Sequence, residues 1–429
     1  MNRKAEKQVQ KQEASKGVVG RVQQILLPMV AGIAATKRDL TDWIHEQGLE
    51  ALHKLLREDA EEIAGPKGKH RKDRNHYHWG RTHGELSFGG RRTQVQRPRV
   101  RSLSGREMSL PRFEAFRQED PLPERVVNQI LLGVSTRGYE LSLDKPLPQV
   151  PHRGASKSAA SRHLVWETKR NLETYLSRRL EQLELLVLMV DGIEVGGHTV
   201  VVSLGITIDG KKVPLGLWLG STENARVCTA LLQDLLERGL RIEGKLLCVI
   251  DGGKGIHKAL LDVLGDLALI HRCQVHKRRN LQAHLPQSRY AYVHQTMNEA
   301  YRSESAGVAR KRLQALTSWL ERSGYEEAAF SLREGMEETL TVLKLGLPPS
   351  LQRSLATTNP IENLIGSVRR VSRNVKRWRN PSMIRRWTAL GVVTAERRFR
   401  RIKGYRHMNI LLHALRGKHD VLDTATNVA

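Results

Sequence analysis

Apolar positions change their spacing twice along the chain. Over residues 17–64 they recur at helical intervals, first Val22, Ile25, Leu26 and Met29 and then Leu49, Leu52, Leu55 and Leu56, with a break predicted near Gly48. Short alternating stretches at 86–88 and 93–100 flank Gly89-Gly90, the pattern of a small hairpin. Two helices are predicted next. Residues 123–132 carry Val126, Val127, Ile130 and Leu131 on one side, and residues 156–180 open with Ser156 as a cap. Residues 133–137 and a Pro/Gly-rich loop at 145–154 lie between them. From residue 185 the pattern turns to strands. An apolar run at 185–190 ends in Asp191-Gly192, a second run spans 199–208, Asp209-Gly210 makes a turn, and a third run spans 213–219. An amphipathic helix at 222–238 follows, then a buried strand at 246–250 ending in Asp251-Gly252-Gly253, a helix at 255–264 and a short strand at 267–270. Residues 280–345 read as helical throughout and are ended by Pro348-Pro349. A fresh helix at 356–373 is entered through Thr357-Thr358-Asn359-Pro360, where proline suits the first turn.

Three strands, a helix, a strand, a helix and a further strand is the order of an RNase H-like fold, α/β with a mixed sheet covered by helices. The earlier helix pair reads as a helix-turn-helix, with Lys157 and Arg162 reaching phosphates or bases, or as an ordinary helical hairpin. The predicted divisions are a helical region at 1–65 for dimerisation or DNA binding, a basic and partly β segment at 66–120 contacting DNA, and a helix-turn-helix-like region at 121–182. A first part of the RNase H-like core follows at 183–276, then an all-helical insertion at 277–354, the second part of the core with a basic helix at 355–410, and a tail at 411–429.

Charge sharpens this picture. The 429 residues carry 71 Lys+Arg against 45 Asp+Glu, a net of +26. Residues 66–106 contribute +10 and residues 366–406 contribute +13, so nearly all the excess sits in two short windows. Both interleave aromatics with cations: Tyr77, Trp79 and Phe88 in one, Trp378, Trp387, Phe399 and Tyr405 in the other. Solvated basic faces explain such concentration poorly, and a polyanionic partner, nucleic acid, explains it well. The DNA-contacting cations expected in the second window are Arg369, Arg370, Arg373, Lys376, Arg377 and Arg379. No apolar run approaches a membrane span, residues 25–35 make a poor signal peptide, and three cysteines imply a reducing compartment. A cytoplasmic protein with no membrane and no small-molecule partner is expected.

Asp191 and Asp251 each follow an apolar run and precede a glycine. Asp-Gly after a strand is also an ordinary turn signal, and Asp209-Gly210 is read as that alone. The order of elements puts the strands of Asp191 and Asp251 side by side, where two carboxylates can hold Mg²⁺, or Mn²⁺ in its place, for phosphoryl transfer. Glu362, in the first turn of the helix before the basic window, is the expected third acid. Cys273 and His276 supply only half of a tetrahedral zinc site, with His271 and Cys248 as candidate neighbours, and zinc is not expected. The histidines His70, His76, His78 and His83, in a basic loop without cysteine, are read as DNA-contacting or solvated.

Asp191-Gly192, residues 216–223 (GLWLGSTE), Cys273-Gln274-Val275-His276 and residues 357–362 (TTNPIE) together resemble the Mutator-type bacterial insertion-sequence transposases. The similarity runs from about residue 123 to 400. It implies a D-D-E triad of Asp191, Asp251 and Glu362 as catalytic and metal-ligating residues, on an RNase H-like fold interrupted by a helical insertion. Cys273, His276 and Asn359 would then be structural or site-adjacent. The resemblance also implies binding of an element's terminal inverted repeats and of target DNA. Metal-dependent 3′-end cleavage and strand transfer, by a copy-out route through a circular intermediate, would follow, in a bacterial cytoplasm at the nucleoid. A homodimer is expected because two ends must be joined. The alternative is a transposase-derived DNA-binding protein without catalysis. Relatives often carry Asn three residues after the Glu, where Ile365 stands here, and the region before residue 123 differs from theirs.

Overall fold

A computed structural model describes residues 40–69, 74–147, 149–220 and 224–417, so the helical pattern before residue 40 and His70 lie outside the described residues. The chain divides into two compact units, residues 1–167 and 168–429.

In the first unit, α1 (Leu40–Ala64) packs on a long hairpin of β1 (His76–Phe88) and β2 (Arg91–Ser102). The expected hairpin is present and longer than its alternating core. Gly89 and Gly90 turn it with φ of 58° and 79°, the two positive values that a tight hairpin turn demands. Gly48 does not break α1. A Cβ there would stand 3.0 Å from the Phe88 ring, so the glycine lets helix and hairpin approach. Leu49, Leu56 and Ala60 meet Leu86, Val95, Val100, Leu110 and Phe113 in one core. The residue pair β3 (Glu107–Met108) and the helix α2 (Pro111–Gln118) follow.

The predicted helix pair appears as α3 (Leu122–Leu131) and α4 (Lys157–Leu176), with Ser156 Oγ accepting from Ala159 N–H at 3.4 Å. Residues 132–156 between them are not a tight turn. They hold a 3₁₀ turn at Glu140–Ser142 and β4 (His152–Arg153), which pairs with β2. A helix-turn-helix connection takes three or four residues, so the helix-turn-helix reading is corrected to two helices separated by a segment that joins the hairpin sheet. The unit boundary falls inside α4 rather than at 182/183, because Leu172 and Tyr175 belong to the core of the second unit.

That second unit is built on a five-stranded sheet in the order β7-β6-β5-β8-β9: β5 (Leu185–Val195), β6 (His198–Thr207), β7 (Lys212–Gly220), β8 (Leu246–Ile250) and β9 (Ala268–Arg272). The first three are antiparallel, while β5, β8 and β9 run parallel. Side chains alternate between the faces. Leu188, Val190, Cys248 and Ile250 pack under α5 (Ala225–Glu237) and α6 (Lys254–Leu264). Val187, Met189, Leu247 and Val249 face the other way. There they meet α13 (Pro349–Leu355), α14 (Asn359–Ser372), α15 (Pro381–Glu396) and α16 (Met408–Arg416). The expected tail at 411–429 is therefore corrected in its described part: Leu411 and Leu415 are core residues, and Leu415 O accepts from Lys245 N–H at 3.1 Å.

Between β9 and α13 the chain is helical, as its spacing predicts, in α7 (Gln274–Gln282), α8 (Tyr290–Tyr301), α9 (Ala306–Arg322), α10 (Glu326–Arg333) and the short α11 (Met336–Thr339) and α12 (Thr341–Lys344). These helices share a core of their own that runs from Leu281 to Leu343. Among the described residues no helix is long and apolar enough to cross a membrane.

Candidate active site

Asp191 is not at the end of its strand, as its position after the apolar run suggests. β5 continues to Val195 because β6 goes on pairing with it, Asp191 opposite Val202. What ends near Asp191 is the parallel pairing on the other side, whose last partners are Met189 and Val249. Asp251 directly follows β8, two residues beyond Val249 as Asp191 is two beyond Met189. The two carboxylates therefore stand in register on adjacent strands and share the face of Met189 and Val249. Each is half-buried and oriented by its own backbone: Asp191 Oδ1 accepts from Gly192 N–H and Asp251 Oδ1 from Gly253 N–H, both at 2.8 Å. Gly252 has φ of 104°, and a Cβ there would come within 2.8 Å of Arg272 Nε. Arg272 donates to Gly252 O at 3.0 Å and to Glu334 O at 3.1 Å, which ties the loop beside Asp251 to the helical segment. Asp209 is a hairpin turn, as expected, held by Thr207 and Lys211 with its carboxyl pulled down to about 2 by Lys211 first.

Glu362 stands on the helix that covers the same face. Ile361, Leu364, Ile365 and Val368 seat α14 on the sheet, and Glu362 lies in the first turn of that helix. Helix α15 closes against α14 at Gly391, where a Cβ would stand 2.6 Å from Val368 Cα. The start of α14 is anchored by the chain that leaves β9. Cys273 N–H donates to Ile250 O at 2.7 Å, prolonging the sheet beside Asp251, and Gln274 N–H donates to Ala356 O at 3.1 Å. Glu362 Oε1 accepts from Thr358 Oγ1 at 2.9 Å, with His276 Nε2 at 3.8 Å. Among the described residues no three His, Cys, Asp or Glu side chains form a closed metal-binding group. The donor set nevertheless fits Mg²⁺: all three are hard carboxylate oxygens, and Mg²⁺ keeps several waters and needs only one or two carboxylates.

The Cys-x-x-His pair is woven into this arrangement, and among the described residues it is not part of a group of three or more ligating side chains. Cys248 lies on the opposite face of the sheet. His271 is spent on the backbone, with Nε2 donating to Ala356 O at 3.2 Å and Nδ1 accepting from Val342 N–H at 3.4 Å. Burial pushes the Cys273 thiol up, but hydrogen bonds with His276 and Thr358 outweigh it and leave it below the usual range. His276 moves up, first through Cys273 and then through the Glu362 and Asp251 carboxylates, which places its imidazole in the field of both. Thr358, which the spacing of the acids did not single out, is the shared partner; Arg272 was missed likewise. The signal for Thr358 was present in its place just before Asn359-Pro360, where a helix cap is expected. Asn359 itself is exposed, with its N–H 3.5 Å from Thr357 Oγ1.

Arg369, Arg370, Arg373, Lys376, Arg377 and Arg379 are all exposed along the end of α14 and the segment before α15, and none forms an ion pair with a described residue. The aromatics interleaved with this window are packed against the core instead of standing free beside the cations. Trp387 is buried. Trp378 packs on the Gly196-Gly197 turn, where a Cβ on Gly196 would meet its ring carbon Cγ at 2.5 Å. Phe399 lies under Lys212 and Tyr405 under Arg401, 4.7 and 5.0 Å from cation to ring centre. These rings anchor the basic segment to the core. In the first unit Trp79 is exposed, edge-on to Tyr77 and stacked by Arg101 at 4.6 Å. His76, His78 and His83 lie on β1 rather than in a loop, and His78 Nε2 bonds Gly65 O at 2.9 Å. Lys157 and Arg162 are exposed on the first turns of α4.

Residues 23–401 match the family described as transposase, Mutator family, so the likeness begins about a hundred residues before the expected start near residue 123 and takes in the region read as different. The chain belongs to that family. It is 26% identical over 302 residues to a transposase for insertion sequence element IS905 from Lactococcus lactis, covering 68% of this chain and 73% of that one. A transposase for IS256 in transposon Tn4001 from Staphylococcus aureus is 25% identical over 64% of this chain and 70% of its own. A transposase for IS406 from Burkholderia multivorans is 27% identical over 70% of this chain and 74% of its own. The family match takes in Asp191, Asp251, Cys273, His276 and Glu362.

The buried imidazole of His271 makes the stability of this family member pH-dependent. Burial pushes it down to about 4, with the bond to Ala356 offsetting part of the effect. Its folded value lies below the unfolded one, so between about pH 6.5 and pH 4 the unfolded chain takes up the proton first. Stability is full above that window and falls as pH drops through it, by on the order of 3 kcal/mol. Thermal melts from pH 7 to pH 4 should show this decline, and His271→Gln, which retains a donor for Ala356, should flatten it.

Proposed function

We propose that the chain is a D-D-E transposase with an RNase H-like catalytic domain, interrupted by the helical segment between β9 and α13. It binds the terminal inverted repeats of an insertion sequence, cleaves at the 3′ ends and transfers the strands. The observation that carries this reading is the register of Asp191 and Asp251 on adjacent parallel strands, on the face covered by the helix of Glu362. The mixed sheet order supports the fold assignment, and the family supports the reaction class.

Asp191, Asp251 and Glu362 would hold Mg²⁺, with Mn²⁺ as a substitute. When bound, the metal supplies Lewis-acid stabilisation of the transferring phosphoryl and a lowered pKa for the attacking oxygen. The chain's own part is to hold the three carboxylates on one rigid face, with Asp191 and Asp251 oriented by neighbouring N–H groups. Arg369, Arg370, Arg373, Lys376, Arg377 and Arg379, which pair with no acid among the described residues, neutralise DNA phosphates, and Lys157 and Arg162 are the contacts assigned to the first turns of α4. In cleavage, water attacks the phosphorus and the 3′ oxygen leaves. In strand transfer, that 3′ hydroxyl attacks a target phosphodiester and displaces its 3′ oxygen, so one P–O bond forms for each broken. Two ends must be processed together, which two-fold symmetric dimers accomplish with equivalent sites, and a copy-out route through a circular intermediate is assigned with the same reading.

Incubating the purified chain with an end-labelled terminal fragment and Mg²⁺ or Mn²⁺ tests the reading. Nicking at the 3′ end is expected. Binding without nicking under either metal would make the chain a transposase-derived DNA-binding protein instead.

A further inference from the structure

The hydroxyl of Thr358 is not used as a helix cap normally uses it. A threonine in that position ordinarily accepts a hydrogen bond from a first-turn N–H through its side chain. Thr358 makes no such side-chain bond, and the N–H groups of Ile361 and Glu362 go to its carbonyl oxygen, each at 3.0 Å. The residue is fully buried, so its hydroxyl must find partners inside the protein. Those within reach are Glu362 Oε1 at 2.9 Å, His276 Nδ1 at 3.2 Å and Cys273 Sγ at 3.4 Å.

Donor arithmetic orders this cluster. A hydroxyl has one proton to give and two lone pairs to accept with. The Glu362 carboxylate can only accept, so the proton goes to it, and Oγ1 accepts in turn from His276 Nδ1–H. The Thr358 N–H donates to Cys273 Sγ at 3.4 Å, which holds the backbone of the same residue from the side. Glu362 is four residues on, one helical turn, the spacing at which the side chain of Thr358 can reach it.

We infer that Thr358 is a positioning residue for Glu362: its hydroxyl, held from behind by His276 while Cys273 holds its backbone N–H, fixes one carboxylate oxygen and leaves the other to serve with Asp191 and Asp251. This rests on the reading of Glu362 as the third acid of the site. A glutamate on a partly exposed helix start otherwise keeps several rotamers, and each ligating encounter would have to select one. Cys273 and His276 thereby acquire a role without zinc, as the rear support of a ligand.

The test compares Thr358→Val, which keeps the shape and removes the hydroxyl, with Thr358→Ser, which keeps the hydroxyl and removes a methyl. Thr358→Cys, a poorer donor, serves as an intermediate, and all are made in the full chain beside Glu362→Gln. Three quantities are measured: Mn²⁺ binding by the protein alone, followed by electron paramagnetic resonance; end cleavage; and the thermal midpoint, so that the other two are read well below it. Thr358→Val should weaken Mn²⁺ binding and slow cleavage by roughly 10- to 100-fold, the usual effect of removing an outer partner of a ligand. Thr358→Ser should stay within a few fold of the parent, with Thr358→Cys between. A flat series, or Thr358→Ser failing as badly as Thr358→Val, overturns the inference in favour of plain packing. Inactive Glu362→Gln beside fully active Thr358→Val overturns this inference alone. Glu362→Gln with intact metal binding and cleavage removes the acid from the site and takes the inference with it.

Discussion

Asp191→Asn, Asp251→Asn and Glu362→Gln should each lower end cleavage and joining by roughly 10³-fold or more while leaving end binding within a few fold of the parent. Charge stabilisation by a held metal is worth several kcal/mol in a phosphoryl-transfer transition state, and each factor of ten in rate is about 1.4 kcal/mol. An amide keeps the shape of the carboxylate but loses its charge and one acceptor oxygen. Asp191 and Asp251 are only half-buried and lie just past the parallel β5–β8 pairing, so the fold should survive these changes. Calcium should support binding without chemistry, since its looser coordination positions reactants poorly. A neutralised variant that cleaves at the parent rate would exclude that residue from the triad, and gel-resolved cleavage of one labelled fragment measures all three.

The second large effect is on DNA affinity against salt. With about six phosphates neutralised, affinity should fall by roughly three orders of magnitude between about 50 and 200 mM salt. Replacing Arg369, Arg370 and Arg373 together by glutamine should reduce the slope of log K against log salt by roughly three, about one for each phosphate left without its arginine. The three lie outside the core that seats α14, are exposed and make no ion pair with a described residue, so the change should not disturb the helix. Fluorescence anisotropy of a terminal fragment across a salt series gives the slope. An unchanged slope would mean that this stretch of α14 faces solvent in the complex.

Periodicity alone determined a great deal of this protein. The runs that became β5, β6, β7 and β8 were legible because strands buried on both faces are dominated by apolar residues. The helical run after β9 was legible for the matching reason, a 3.6-residue stripe. Asp191, Asp251 and Glu362 were legible as candidates because carboxylates directly after apolar runs and at a helix start are chemically conspicuous. Local pattern carries no information about partners far along the chain, and the remaining features were decided there. Whether Asp191 ends a strand depended on where β8 leaves it, while β6 carried the strand onward. Whether Gly48 breaks a helix depended on Phe88, forty residues away, coming close enough to need the missing side chain. The aromatics interleaved with the cations of the basic window counted toward a nucleic-acid partner in sequence, but Trp378 packs against the core and Trp387 is buried. Only the convergence of β9, α7 and α14 turned the Thr358 hydroxyl to the Glu362 carboxylate, because a buried donor must be satisfied by whatever the fold brings within about 3 Å.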